Sequence, residues 1–294
     1  MELGTLAGKL TFVGVLVLFI LFEAAWLIWA RHRNYDWKEA SASIAVALIK
    51  RVVDVGTAGV AAAALFWVYE HRLWTIRLDD AATWIVFFLL FELVYYWHHR
   101  LAHEIRWLWA THSVHHSPES MNLSVAARLG WTGLLSGSFL FFAPLCLIGF
   151  HPIAVFLMLA ASLFYQIWIH TEVIPKLGPL EWVLNTPSHH RVHHARNPRY
   201  LNRNFGGVLI VYDRLFGTLA KERADDPPDY GLLPPMRSLN PFVIALREWG
   251  WMARDVTRAR SAREAMGYLF GPPGWAPGGA GEDKPAAVPV RLPE

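Results

Sequence analysis

The chain has 294 residues, of which 54% are hydrophobic, 14% aromatic and only 17% charged, with a mean hydropathy of +0.26. A soluble domain carries about a quarter charged residues, so the composition excludes an ordinary soluble protein and points to a bilayer. The net charge of +3 comes without a dense Lys/Arg block among aromatics, which argues against nucleic acid. The single cysteine, Cys146, excludes a disulfide framework or a cysteine-ligated zinc site.

Apolar runs come first along the chain, because a helical span needs about 20 predominantly apolar residues. Residues 10–30 form one such run, interrupted by Glu23, and 52–69 a second, with Lys50 and Arg51 just before it. The run AATWIVFFLLFELVYYW at 81–97 is a third. Residues 131–150 and 152–169 make a fourth and a fifth, joined by a turn short enough to return the chain to the face it left. The basic loop RHRNYDWKEA after the first run is expected on the cytosolic side. Parity then puts 98–130 and everything after 169 on that same side. The fold expected is an all-α, polytopic integral membrane bundle of four to five spans, with an active site on the cytosolic face of a bacterial inner membrane or its equivalent. Three units follow: 1–80, N-terminal spans and a loop; 81–238, a histidine-rich domain with the hairpin; 239–294, amphipathic helices and a Gly/Pro-rich tail. Eleven of the last 24 residues are Gly or Pro, so that tail reads as disordered, although Pro272-Pro273-Gly274-Trp275 could dock.

Of fourteen histidines, ten fall in two stretches, 98–116 and 189–194, where an even scatter would place about one. His99 and His103 (HRLAH) stand one helical turn apart on one face. His112, His115 and His116 (HSVHH) repeat that spacing, and His190, His193 and His194 (HRVHH) repeat it again. A structural zinc ion needs only four ligands. Eight imidazoles exceed one ion's shell and suit two neighbouring ions, typically about 3.5–4 Å apart. Imidazole binds Zn, Cu, Fe and Ni alike, so spacing does not name the metal. A zinc protease would carry HExxH, and Arg100 stands where that glutamate belongs.

Helical phase puts Glu92, Tyr96, His99 and His103 on one stripe, which makes Glu92 a candidate carboxylate to orient an imidazole, the alternative being an interfacial glutamate in water. Glu104, next to His103, could orient a neighbouring imidazole, bind metal, or be a plain surface acid. His98 and His189 each precede a box histidine and turn about 100° away on a helix, so both are left out of the ligand set. The isolated His32, His71 and His151 read as loop-edge residues.

The stretch YYWHHRLAHEIRWLWATHSVHHSPESMNLSVAAR, IHTE at 169–172, and NTPSHHRVHHARNPRYLNRNFGGVLIVYDRLFGT together resemble the fatty acid hydroxylase/sterol desaturase superfamily over roughly residues 85–220. The closing LFGPPGW is similar to a tail of its alkylglycerol monooxygenase-like branch. The resemblance implies two iron ions, which zinc can replace in a purified form. It also implies O2 as co-substrate and hydroxylation or desaturation of an unactivated C–H bond in a membrane lipid: a sterol, a fatty acyl chain or an ether lipid. It implies His99, His103, His112, His115, His116, His190, His193 and His194 as ligands, adds His170, and matches Glu104 to an acidic residue after the first box. Ile174 stands where some relatives carry a further histidine. No haem-binding HPGG motif is present, so electrons are expected from a separate donor: a cytochrome b5-like protein, a ferredoxin or a reduced pterin. The competing reading is a non-redox membrane carrier or binder of zinc, which should place ligands near the bilayer midplane.

Overall fold

The computed structural model describes residues 17–32 and 34–278. The first part of the 10–30 run and the end of the Gly/Pro-rich tail lie outside these residues. Among the described residues the chain is helical, with isolated bridges such as Leu184–Leu209 and no β-strand.

Two helices carry most of the apolar sequence. Helix α1 (Val17–Ala30) leads to α2 (Trp37–Glu70), whose 34 residues extend about 51 Å. Asp36 starts α2 by accepting the Glu39 amide at 3.0 Å, and Asp80 starts α3 (Ala81–Glu104) through the Thr83 amide at 2.9 Å. Both helices are long and apolar enough to cross a bilayer, and only 6% of the apolar window of α2 is buried within the chain. A soluble core helix would be covered by protein. Val52, Val55, Val60 and Trp67 of α2 instead face outward, which requires an apolar solvent. The chain is a membrane protein.

The 131–150 run differs from the single span its composition suggests. It breaks into α5 (Gly133–Ser136), a 3-10 turn (Ser138–Phe142) and α6 (Ala143–Ile148). Gly137 ends α5 in the left-handed region at φ 72°, and Pro144 opens α6. Helix α7 (Pro152–Ile167) follows, and its 16 residues extend about 24 Å, less than a typical hydrocarbon core. The hairpin packs on α3 through Phe87 stacked on Phe150 at 4.6 Å and Phe91 on Phe142 at 5.4 Å. Buried polar bonds join α7 to α3, with Tyr95 donating to Gln166 at 2.9 Å. Lipid does not drive apolar helices together, so such bonds and close packing carry the association.

One end of this bundle is capped by shorter elements: α4 (Arg106–His112), α8 (Pro187–His194), α9 (Val211–Leu215), α10 (Pro241–Thr257) and α11 (Ala262–Phe270). Arg106 ties α4 to α10, its guanidinium lying 2.7 Å from Glu248 and 2.9 Å from Asp255. The Pro272–Trp275 segment is docked: the Gly271 carbonyl accepts the Arg106 amide at 3.0 Å, and the Trp275 ring fills the space beside Gly267.

Candidate metal centre

Three helices and two loops bring nine imidazoles to one end of the bundle. His99 and His103 come from the last turns of α3. The chain turns at Ile105, and α4 presents His112, with His115 and His116 in the turn that follows. His170 follows α7, and α8 delivers His190, His193 and His194. Pro187 at the start of α8 supplies a φ already suited to the first turn, and every residue of this helix is buried.

The ligand nitrogens fall into two groups, each with all its atoms within 4.8 Å of one another. One holds His99, His103, His112, His116 and His193; the other holds His115, His170, His190 and His194. The groups abut, since the ring of His116 stacks on that of His194 at 4.3 Å.

Hydrogen bonds decide which nitrogen faces inward. Nδ1 of His99 lies 2.8 Å from the Phe205 carbonyl and that of His193 2.9 Å from the Arg203 carbonyl. In the other group, Nδ1 of His170 and His115 lie 2.6 and 3.3 Å from the carbonyls of Gln166 and Arg128. A carbonyl only accepts, so each Nδ1 carries the hydrogen and each Nε2 keeps its lone pair. The Nε2 atoms then face one another at 3.0 Å (His99–His112), 3.1 Å (His112–His116), 2.8 Å (His170–His190) and 3.1 Å (His190–His194). Nε2 of His103 and of His193 is buried with no hydrogen-bond partner. At such distances either a ring hydrogen or a shared cation joins the two nitrogens. An ion with bonds of about 2.1 Å holds two nitrogens at right angles about 3.0 Å apart. The residues present therefore fit a pair of metal ions.

Burial keeps these imidazoles neutral. It pushes His115 down to about 4 and His193 to about 3. Burial, reinforced by the neighbouring imidazoles, holds His112, His116, His190 and His194 well below the usual histidine range. Neutral imidazole is the form that binds metal.

The two carboxylates singled out in the sequence lie elsewhere. Glu92 touches no imidazole. It accepts the amides of Val208 and Leu209, both at 2.8 Å, and the Ser162 hydroxyl at 3.4 Å. It thereby clamps to α3 the loop whose Phe205 carbonyl holds His99. Glu104 pairs with Arg100 at 2.9 Å and is in neither group. His98 packs against Phe141 and Phe142, and His189 neighbours Thr186; neither joins a group.

Other residues that shape the site escaped sequence reasoning. Asp213 is buried and accepts the amides of Phe205 (2.7 Å) and Gly206 (2.8 Å) and the Thr218 hydroxyl (2.6 Å). Asn185 donates to the Gly206 carbonyl at 2.6 Å, and Asn204, at φ 57°, donates to His189 and Ala220 carbonyls. A side chain at Gly207 would press on Tyr95, its Cβ only 2.9 Å from that ring. Glu23 of α1 accepts the hydroxyl of Thr171, beside His170, and the Leu123 amide at 2.7 Å. The run NRNFGG was the available signal, with asparagines and paired glycines suited to a tight loop.

A cleft of about 160 Å³ reaches His103, His116 and His193 from outside, between Trp109, Trp251 and Pro272–Pro273.

The fatty acid hydroxylase family profile matches residues 84–218. The chain is similar to alkylglycerol monooxygenase of Xenopus tropicalis, 35% identical over 279 residues that cover 94% of this chain and 60% of the relative. It is 38% identical to alkylglycerol monooxygenase of Danio rerio over 238 residues, 80% of this chain and 52% of the relative. Ornithine lipid hydroxylase of Rhizobium tropici is 31% identical over 165 residues, 56% of this chain and 50% of the relative. The chain thus spans 50–60% of the length of these relatives. No solved structure matches it. The match to the fatty acid hydroxylase family thus falls on residues 84–218, the part of the chain that contains both histidine groups.

Proposed function

We propose that this protein is a membrane di-iron oxygenase that hydroxylates an unactivated C–H bond of a lipid, with O2 and electrons from a separate donor. The observation that carries this reading is the geometry of nine imidazoles in two abutting groups, their Nε2 atoms turned inward at 2.8–3.1 Å from one another. Two iron ions bound there would supply the reduction of O2 and the oxidising power that the C–H bond demands. One oxygen atom enters the substrate and the other leaves as water, which consumes two electrons and two protons from the donor. The relatives above are named for monooxygenase and hydroxylase activity on lipids, which favours hydroxylation over desaturation. An ether-linked glycerolipid is the substrate class we favour.

The chain's own residues do three things in this scheme. The carbonyls of Arg128, Gln166, Arg203 and Phe205 fix the imidazole tautomers. Burial keeps the ligands neutral and bulk water away. The apolar helices beside the centre hold the hydrocarbon part of the substrate in the bilayer, so the reacting carbon comes to the ions from the membrane. The basic loop after α1 favours the cytosolic face for this end of the bundle. A cytochrome b5-like protein, a ferredoxin or a reduced pterin would serve as donor there.

The test is metal analysis of anaerobically purified protein, then lipid mass spectrometry of a host with and without the chain. Two irons per chain and a lipid gaining one oxygen are expected. Redox-silent zinc with no O2 consumption on adding reductant and lipid would favour the metal-carrier reading instead.

A further inference from the structure

The cap carries a second surface whose chemistry the metal centre does not use. The 3-10 turn Gly178–Trp182 and α9 lie side by side, joined by the Ile210 amide donating to the Val183 carbonyl at 2.9 Å. Arg214 of α9 reinforces the pair, donating to the carbonyls of Glu181 at 2.9 Å and Trp182 at 3.1 Å. Their outward side chains are large and apolar: Leu180 is 55% exposed, Trp182 66%, Val183 51% and Leu215 69%. The sequence around them reads as soluble, yet such a patch marks an interaction surface.

Its position says with what. Tyr212 of α9 donates to the Leu89 carbonyl at 2.7 Å, and Phe216 stacks on Tyr96 at 5.1 Å. Helix α9 therefore runs beside the apolar part of α3, and Leu89 stands ten residues before His99, about 15 Å along the helix. Trp84, Ile85, Val86 and Leu89 of α3 are themselves exposed. Val211 and Leu215 extend the lipid-facing surface of a spanning helix.

Next to the patch is a cavity of about 270 Å³ lined by the cations Lys176, Arg214 and Lys221. Its two carboxylates are already engaged, Glu222 by Arg191 at 2.8 Å and Glu181 by Ser188 at 2.7 Å and the Leu177 amide at 2.9 Å, while Lys176 donates to the Glu222 main-chain carbonyl at 2.8 Å. The Arg214 guanidinium lies 4.8 Å over the Trp182 ring, an arrangement suited to headgroup depth, with the ring against hydrocarbon and the charge toward phosphate.

We propose that the cap dips into the bilayer along Leu180–Val183 and α9, and that Lys176, Arg214 and Lys221 bind the phosphate of an anionic phospholipid of that leaflet. The bound lipid is not the reacting one, because the cavity meets α8 at Ser188 and His189, outside both histidine groups. The inference rests on the chain being a membrane protein and is independent of the oxygenase reading.

Two measurements test it. A nitroxide on Leu215→Cys, in a Cys146→Ala background and mixed phosphatidylcholine–phosphatidylglycerol vesicles, should be relaxed more by O2 than by a water-soluble nickel complex. The reverse order overturns the insertion. Native mass spectrometry of the detergent-purified chain should show phosphatidylglycerol retained over phosphatidylcholine. Retention should fall on the order of tenfold in Lys176→Gln/Lys221→Gln, and persist in Lys176→Arg/Lys221→Arg. Equal retention of the two lipids, displacement by inorganic phosphate at similar concentration, or loss of lipid from the arginine pair overturns the site. Metal content, followed in the same samples, reports separately on the histidine centre and is expected to be unchanged.

Discussion

Nδ1 of His99 lies 2.8 Å from the carbonyl oxygen of Phe205, which joins the end of α3 to a loop 106 residues further along the chain. The tautomer of the first histidine box is thus set by a peptide whose own position depends on Asp213, at 2.7 Å from the Phe205 amide. Asp213→Ala leaves two buried amides without acceptors, at a cost of about 1–3 kcal/mol each. The expected outcome is a lower thermal midpoint and loss of metal from the group containing His99. Elemental analysis of the purified variant checks it, and an unchanged metal content would count against the coupling.

His193→Ala and His115→Ala remove one nitrogen from different groups. Each is expected to abolish lipid hydroxylation while leaving membrane insertion intact, and each should lower metal content by about one ion per chain in a two-metal site. Product analysis with elemental analysis on membranes of equal protein content is the measurement. Full turnover in either variant would refute the assignment of these residues.

The two carboxylates should separate cleanly. Glu92→Ala strands the amides of Val208 and Leu209 and is expected to destabilise the fold by several kcal/mol on the same accounting. Glu104→Ala breaks a half-exposed pair with Arg100, worth roughly 0–1 kcal/mol. Its metal content is expected to match wild type. Thermal unfolding and metal analysis of the two variants, side by side, make the comparison.

Acid should open the centre. The imidazoles of His115 and His193 titrate near 4 and 3 when folded, against about 6.5 when unfolded. Between these values the unfolded chain binds more protons than the folded one, so stability falls as pH falls. The stabilisation is complete above about 6.5 and is lost progressively toward pH 4 and 3. Metal release follows the same direction, because a protonated imidazole has no lone pair to give. Thermal midpoints of the metal-free protein across this range are the check. A midpoint insensitive to pH there contradicts the buried, neutral histidines.

Gly267→Ala tests the wall of the cleft. Its Cβ would collide with the Trp275 ring, and overpacking of this kind costs about 1–3 kcal/mol. Displacing Trp275 shifts Pro272 and Pro273 away from the cleft that reaches His103 and His193. Faster removal of metal by a membrane-impermeant chelator is expected, with secondary structure retained by circular dichroism.

The clustering of the histidines was legible because spacings of three and four residues on a helix put side chains on one face whatever surrounds them. Its division into five and four was not, since His115 parts from its neighbour His116 only in three dimensions. Glu92 was singled out as an acid to orient an imidazole, but its partners are main-chain amides 116 and 117 residues away, and no side-chain pattern encodes those. Asp213 and Asn185 stand inside the quoted stretch, but their partners are likewise main-chain groups, which its side-chain pattern does not encode. The long apolar helices followed from composition. The break at Gly137 in the 131–150 run depends on a left-handed residue that hydropathy averages away.

The ring of His116 rests on that of His194, so the earlier and the last histidine boxes complete one another. Both groups wait on α8, since His193 belongs to one and His190 and His194 to the other. An ion held in either group would therefore fasten α8 to the helices that precede it, closing the cap with the last histidines to be made. On the di-iron reading, a shortage of iron is expected to leave the chain in its membrane with a loosened cap.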